Sequence, residues 1–169
     1  MADNIQELYH LYQDSNGVCT DTRKIIKDCL FISLKGPNFN ANEFAAEALE
    51  KGAKYVLVDE EKYVTSSATY LVEDGLDALQ GLAKFHRSKL SIPIVGITGS
   101  NGKTTTKELI SGVLNKKYKT YFTQGNLNNH IGVPLTMLSI QQAVEIAVIE
   151  MGANHVGEIA GLCEIARPT

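Results

Sequence analysis

The chain has 169 residues, an apolar share of 44% and a formal net charge of −3, the profile of a globular protein with one ordinary domain or two small ones. Its charges are interspersed and give no overall basic field, which argues against a nucleic-acid partner. Cys19, Cys29 and Cys163 are odd in number and widely spaced, which excludes a paired zinc spacing or a disulfide framework and fits a reducing compartment.

The polar start, Met1 to Ile5, lacks the basic-then-apolar pattern of a secretion signal, and no apolar run approaches a membrane span. A cytoplasmic protein without membrane insertion is expected. Two short apolar stretches between Gly17 and Leu34, the second being Cys29 to Leu34, flank the polar triplet Asp21-Thr22-Arg23 and read as strands. Asn42 then stands as a cap ahead of Phe44, Ala45, Ala48 and Leu49, with Gly52 as the stop, which predicts a short helix. Tyr55 to Val58 and Thr69 to Val72 are compact apolar runs typical of buried strands, and Leu76, Leu79, Leu82, Ala83 and His86 follow a helical stripe.

The polar segment from Ser88 to Pro93 ends on a proline before a new strand, so the domain boundary is expected near Leu90, giving domains 1–90 and 91–169. Ile94 to Thr98 reads as a strand, followed by a glycine-rich turn and a helix with Leu109, Ile110, Val113 and Leu114 on one side. After Tyr118 to Phe122 come a glycine and asparagine loop, a helix around Pro134 to Ile140, a strand at Val144 to Ile149 and a helix from near His155. Alternation of this kind predicts an α/β fold with a mainly parallel sheet under covering helices.

The strongest chemical signal is Thr98-Gly99-Ser100-Asn101-Gly102-Lys103-Thr104-Thr105. Gly99 and Gly102 let the backbone approach closely, the amides and the helix start face anionic oxygens, and Lys103 adds a point charge. An ATP phosphate loop is expected, with Thr104 holding magnesium. The general pattern wants a further glycine where Ile97 stands, and the bland alternative is a glycine-rich turn that binds no nucleotide. Glu150 follows the apolar run Val144 to Ile149, so it reads either as a second magnesium ligand at the carboxyl end of a parallel strand or as a solvated strand-end glutamate. The tract Thr123 to Pro134 packs Asn126, Asn128, Asn129 and His130 among turn residues, and suits a structural loop as well as a binding one. His130 and His155 suit surface or helix-cap positions, and His10 and His86 carry no functional signal.

Taken together, Gly96 to Thr106, including the departure at Ile97, resembles the ATP loop of the Mur ligases, and Gly125 to Pro134 and Glu150 to Ile159 resemble further motifs of that family. Asp21-Thr22-Arg23, Leu30 to Gly36 and Gly52-Ala53 are similar to the uridine-nucleotide-binding domain that two of its members share, with departures at Thr22 and at Asn40-Ala41-Asn42. The resemblance implies a small N-terminal α/β domain followed by the first half of a phosphate-loop, mainly parallel α/β central domain. It further implies an ATP- and Mg2+-dependent ligase of peptidoglycan precursor synthesis. Such an enzyme adds D-alanyl-D-alanine to UDP-N-acetylmuramoyl-tripeptide through an acyl phosphate.

Carried over by motif, Lys103 and Glu150 are the catalytic residues, Thr98 to Thr105 bind ATP, and Thr104 and Glu150 hold the metal. Thr22, Arg23, Gly36, Asn126, Asn128, Asn129 and His130 contact the UDP-sugar. The family's carbamylated lysine, histidine metal ligand and C-terminal domain would lie beyond Thr169, so the resemblance implies a fragment that is inactive alone, of an enzyme monomeric at full length. The alternatives are a diamino-acid-adding member of the family and a non-catalytic uridine-nucleotide module.

Overall fold

The structure is a computed structural model that describes residues 4–169; Met1 to Asp3, part of the polar start, lie outside the described residues. No described helix is long and apolar enough to cross a membrane. The chain divides into two compact units, the first ending at Leu82 and the second comprising Ala83–Thr169. The division falls within helix α3, Gly75–Lys89, and the boundary read from the sequence near Leu90 lies just past the end of that helix.

In the first unit, helix α1 (Ile5–Gln13) is capped by Asn4, whose side chain accepts from the Gln6 amide at 3.0 Å. The sheet has the order β1-β2-β5-β6, all parallel, built from β1 (Val18–Cys19), β2 (Leu30–Ile32), β5 (Tyr55–Val58) and β6 (Thr69–Leu71). Strands covered on both faces read as continuous apolar runs rather than alternating ones, and Leu30, Phe31, Ile32, Val56, Leu57 and Val58 are all fully buried. Helix α2 (Ala45–Glu50) lays Ala45 and Ala48 against Phe31, Val56 and Val58. A small antiparallel hairpin, β3 (Lys35–Gly36) and β4 (Phe39–Asn40), projects between β2 and α2 in the chain.

Asn42 does not cap α2. A 3-10 turn over Ala41–Phe44 intervenes, Asn40 caps it by accepting from the Asn42 amide at 3.0 Å, and Asn42 itself is fully buried. Its carboxamide spans two segments, donating to Asp59 Oδ1 at 2.6 Å and to Asn40 Oδ1 at 2.8 Å while accepting from the Asp59 amide at 3.0 Å. Lys35 completes the network with an ion pair to Asp59 at 3.1 Å. The base of the hairpin is therefore tied to the end of β5 by paired polar groups, as a buried amide requires.

The second unit has a three-stranded parallel sheet of order β7-β9-β8, formed by β7 (Ile94–Ile97), β8 (Thr120–Phe122) and β9 (Ile146–Glu150). Around it run α4 (Lys103–Leu114), α5 (Gly132–Leu138) and α6 (Glu158–Ala166). The central place of β9 sets Glu150 level with Ile97, the residue that leads into the phosphate loop. Helix α4 departs from its apolar stripe. Leu109 and Val113 are 67% and 72% exposed, whereas Lys107 and Ser111 are 1% exposed. The stripe correctly marks a helix but not the face that packs. Arg87, at the end of α3, donates to the carbonyls of Leu90, Ala166 and Arg167, each at 2.9 Å, and so supplies donors to the chain just beyond α3 and to the end of α6.

Candidate active site

The phosphate loop links the carboxyl end of β7 to the first turn of α4. Gly99 and Gly102 have φ of 145° and 76°, values that a side chain disfavours, and Gly102 precedes the first helical residue, Lys103. The loop residues Thr98 to Gly102 and the following Thr104 and Thr105 are exposed. No acidic residue occupies the first turn of α4, so its amide groups and dipole present an uncompensated positive end. Lys103 reaches back over the turn, its Nζ donating to the Gly99 carbonyl at 2.7 Å.

Glu150 is 2% exposed, which rules out a solvated strand-end glutamate. Its Oε2 accepts from the Thr104 hydroxyl at 3.0 Å and its Oε1 from the Asn128 carboxamide at 2.9 Å. The Glu150 amide donates to the Thr123 hydroxyl at 2.9 Å, fixing the end of β9 to the end of β8. Lys107 Nζ lies 4.0 Å from Glu150 Oε2 and donates to the Thr123 carbonyl at 2.8 Å. Sequence reasoning missed Lys107 and Thr123. A lysine inside a helix ordinarily reads as solvated, although its position one turn after Lys103, on the same side of the helix, was the available signal.

Because the Thr104 hydroxyl gives its hydrogen to Glu150, its oxygen lone pairs are left available to a further partner. The two adjacent oxygen donors suit a hard cation that keeps most of its ligands as water and phosphate oxygens. Among the described residues no group of three or more His, Cys, Asp or Glu side chains is placed to hold a metal, so any cation here would take few protein ligands.

The asparagine loop is only partly a free binding surface. Asn128 spends its carboxamide on Glu150 and its carbonyl on the Gly152 amide at 2.7 Å. Asn129 uses its side-chain oxygen to accept from the amides of Ile131 and Gly132, at 3.1 and 2.8 Å, ahead of α5. Asn126 and His130 are exposed. Helix α6 starts three residues later than the expected position near His155, after Gly157 at φ 91°, and the Glu158 carboxylate folds back onto the amides of Asn154 and His155 at 2.7 and 3.2 Å. Those two donors, with the nearby charges of His155 and His130, hold its carboxyl below the usual range.

In the first unit, Thr22 and Arg23 border a pocket of about 570 Å³ whose apolar side is formed by Phe31, Phe39 and Phe44. Phe39 and Phe44 stack at 5.8 Å with 16° between their planes, and Phe39 is 56% exposed. Arg23 grips Asp21 through Nε and Nη2 at 2.8 and 2.7 Å. With the Arg23 backbone amide added, the Asp21 carboxyl is lowered to about 2. Gly36 borders a neighbouring pocket of about 370 Å³ on the hairpin instead. Of the residues expected at the sugar nucleotide, Thr22, Arg23 and Gly36 thus belong to the first unit, and Asn126, Asn128, Asn129 and His130 to the second.

Residues 97–169 match the Mur ligase middle domain. Over 155 residues the chain is 47% identical to the UDP-N-acetylmuramoyl-tripeptide–D-alanyl-D-alanine ligase of Bacillus subtilis, covering 90% of this chain and 34% of that one. Among solved structures, a MurF from Acinetobacter baumannii superposes with a TM-score of 0.86 at 32% identity, covering 98% of this chain and 39% of that one. The MurF ligase of Thermotoga maritima in complex with ADP gives 0.81 at 36% identity, covering 94% and 36%. The chain thus spans about a third of the length of the curated relatives it matches. Over residues 97–169 the chain is similar to the Mur ligase middle domain, and over nine-tenths of its length it is similar to the MurF ligases.

Proposed function

We propose that this chain forms the sugar-nucleotide- and ATP-binding portion of an ATP-dependent ligase that joins D-alanyl-D-alanine to UDP-N-acetylmuramoyl-tripeptide in peptidoglycan synthesis. The observation that carries this is the meeting, beside the phosphate loop, of the Thr104 hydroxyl with the buried carboxylate of Glu150 at 3.0 Å. A glycine-rich turn without ligand chemistry has no need of a buried carboxylate at the carboxyl edge of a parallel sheet, where such folds bind their ligands.

In this reading the amides of Thr98 to Thr105 cradle the ATP phosphates, and Lys103 exchanges the Gly99 carbonyl for phosphate oxygens. Thr104 and Glu150 would hold magnesium, which would supply charge neutralisation there. The chain's own contribution is positioning: the loop aligns the terminal phosphate for attack by the substrate carboxylate, and the asparagine loop keeps Glu150 oriented through Asn128. In the first unit, the exposed ring of Phe39, stacked on Phe44, offers a face for the uracil base, while Thr22, Arg23 and Gly36 offer polar groups to the sugar nucleotide. In the second unit Asn126, Asn129 and His130 are the exposed candidates. The free thiols of Cys19, Cys29 and Cys163 fit a cytoplasmic setting.

Calorimetric titration tests the two sites separately. ATP with magnesium should bind the parent chain and lose at least tenfold in affinity on Lys103→Ala; equal affinities would remove the assigned role of Lys103. UDP-N-acetylmuramoyl-tripeptide should bind and lose about tenfold on Phe39→Ala, the scale of one stacked base. A preference for the dipeptide precursor would point instead to a diamino-acid-adding ligase.

A further inference from the structure

Lys107 is 1% exposed in the middle of α4, one turn beyond Lys103. Lysine is almost never fully buried without partners. Its ammonium donates to the Thr123 carbonyl at 2.8 Å, lies 3.1 Å from Glu108 Oε1 and 4.0 Å from Glu150 Oε2, and stands 5.6 Å over the Phe122 ring. The Glu150 separation is too long for a hydrogen bond, and the two carboxylate oxygens already accept from Thr104 and Asn128. Lys107 therefore acts on Glu150 in two ways. It provides a nearby opposite charge inside a buried site, and it holds Thr123, whose hydroxyl in turn accepts from the Glu150 amide at 2.9 Å.

We propose that Lys107 is a positioning residue, which keeps the Glu150 carboxylate and the start of the asparagine loop in the arrangement that accepts a divalent cation beside the phosphate loop. The proposal rests on the ATP- and magnesium-binding reading of this site. A buried carboxylate is stable as an anion only with a counter-charge and filled hydrogen bonds, and the Glu150 side chain, like that of Lys107, is 2% exposed. The effect has a definite sign. If Lys107 were no more than a positive charge near the cation, removing it would strengthen cation binding, because like charges repel. If it positions Glu150, removing it weakens cation binding while leaving the phosphate contacts of the loop in place.

The test uses the 169-residue chain and its Lys107→Met variant, titrated with a fluorescent ATP analogue in magnesium and, separately, in EDTA. The expected result is that the magnesium-dependent gain in affinity falls at least tenfold while the affinity in EDTA stays within twofold. A gain that is unchanged or larger, or an equal loss in both buffers, overturns the proposal. A second measurement does not depend on nucleotide: urea midpoints of Lys107→Met, Glu150→Gln and the double variant. The double variant should be less destabilised than the two single shifts together, and simple additivity overturns the link. If the parent chain binds no nucleotide, the ATP reading fails and this cycle still decides whether Lys107 supports Glu150. Should Lys107→Met not fold, Lys107→Gln, which keeps a donor for the Thr123 carbonyl but no charge, carries both measurements.

Discussion

Substituting Gly132→Ala presses the asparagine loop away from helix α5 without removing a polar group. A Cβ at Gly132 would lie 2.4 Å from the carbonyl carbon of Leu127, 2.5 Å from its Cα and 2.9 Å from its oxygen, all main-chain atoms. Ordinary carbon contacts lie near 3.5–4 Å, so the loop must retreat by about 1 Å. Overpacking of this kind costs about 1–3 kcal/mol, and the better helix propensity of alanine returns no more than about 1 kcal/mol. For a unit of this size a net loss of about 1–2 kcal/mol lowers the melting temperature by about 5–10 °C. The same retreat begins next to Asn128, whose carboxamide sits 2.9 Å from Glu150 Oε1, and a further 1 Å takes that contact past hydrogen-bonding range. Thermal melts followed by circular dichroism, with the Asn128 side-chain amide followed by NMR, check both consequences. A variant that melts within 1 °C of the parent (about 0.2 kcal/mol) and keeps the Asn128 resonance would refute the reasoning.

Asn42→Ala removes two donations and one acceptance within the Asn40, Asn42 and Asp59 network, for an expected loss of about 2–4 kcal/mol in urea titration. Asn42→Asp, which sets a carboxylate against Asp59, should be worse, and a midpoint at or above the alanine variant's would contradict that account. His86 is buried with Nε2 3.1 Å from the Ile140 carbonyl, and burial holds its imidazole below the ordinary value. The unfolded chain takes up this proton near about pH 6.5 and the folded chain only at lower pH. The stability it contributes is thus complete above the unfolded value and is lost as pH falls below it. Between about pH 7 and about pH 5 the parent should therefore lose more thermal stability than His86→Gln; parallel pH curves would show that the ring is not linked to folding. Leu109→Lys with Val113→Glu should leave the melting temperature nearly unchanged, since both positions are mostly exposed; a large drop would show that this face of α4 packs.

The phosphate loop and the strands around it were legible because their signals are local. Ile94 to Ile97 is an apolar run, and Gly99 and Gly102 adopt the positive φ that makes glycine informative. The same holds for Glu150, whose place at the end of β9 follows from the apolar run before it. Its burial was not legible, because that depends on Thr104 and Asn128, 46 and 22 positions away in the chain. Lys107 was hidden for the same reason, and the exposed Leu109 and Val113 compounded the difficulty. Periodicity records which residues are apolar, whereas the packed side of α4 is the one whose Lys107 meets Thr123 and Glu150 at the ends of β8 and β9. Asn42 illustrates a subtler failure. Two asparagines two positions apart both carry cap chemistry, and only the inserted 3-10 turn decides that Asn40 caps while Asn42 ties the hairpin to β5.

The bond from Lys103 to the Gly99 carbonyl also bears on the speed and selectivity of ligand capture. A lysine already curled across its own loop has surrendered much of its rotamer freedom during folding, so an arriving ligand does not bear that entropic cost again. What the ligand must do is outcompete a neutral carbonyl as an acceptor. An anionic oxygen does so readily, since it adds the attraction of full opposite charges to the hydrogen bond, whereas an uncharged hydroxyl or amide gains almost nothing by the exchange. The loop's own backbone thus serves as an internal competitor that favours highly charged ligands over merely polar ones.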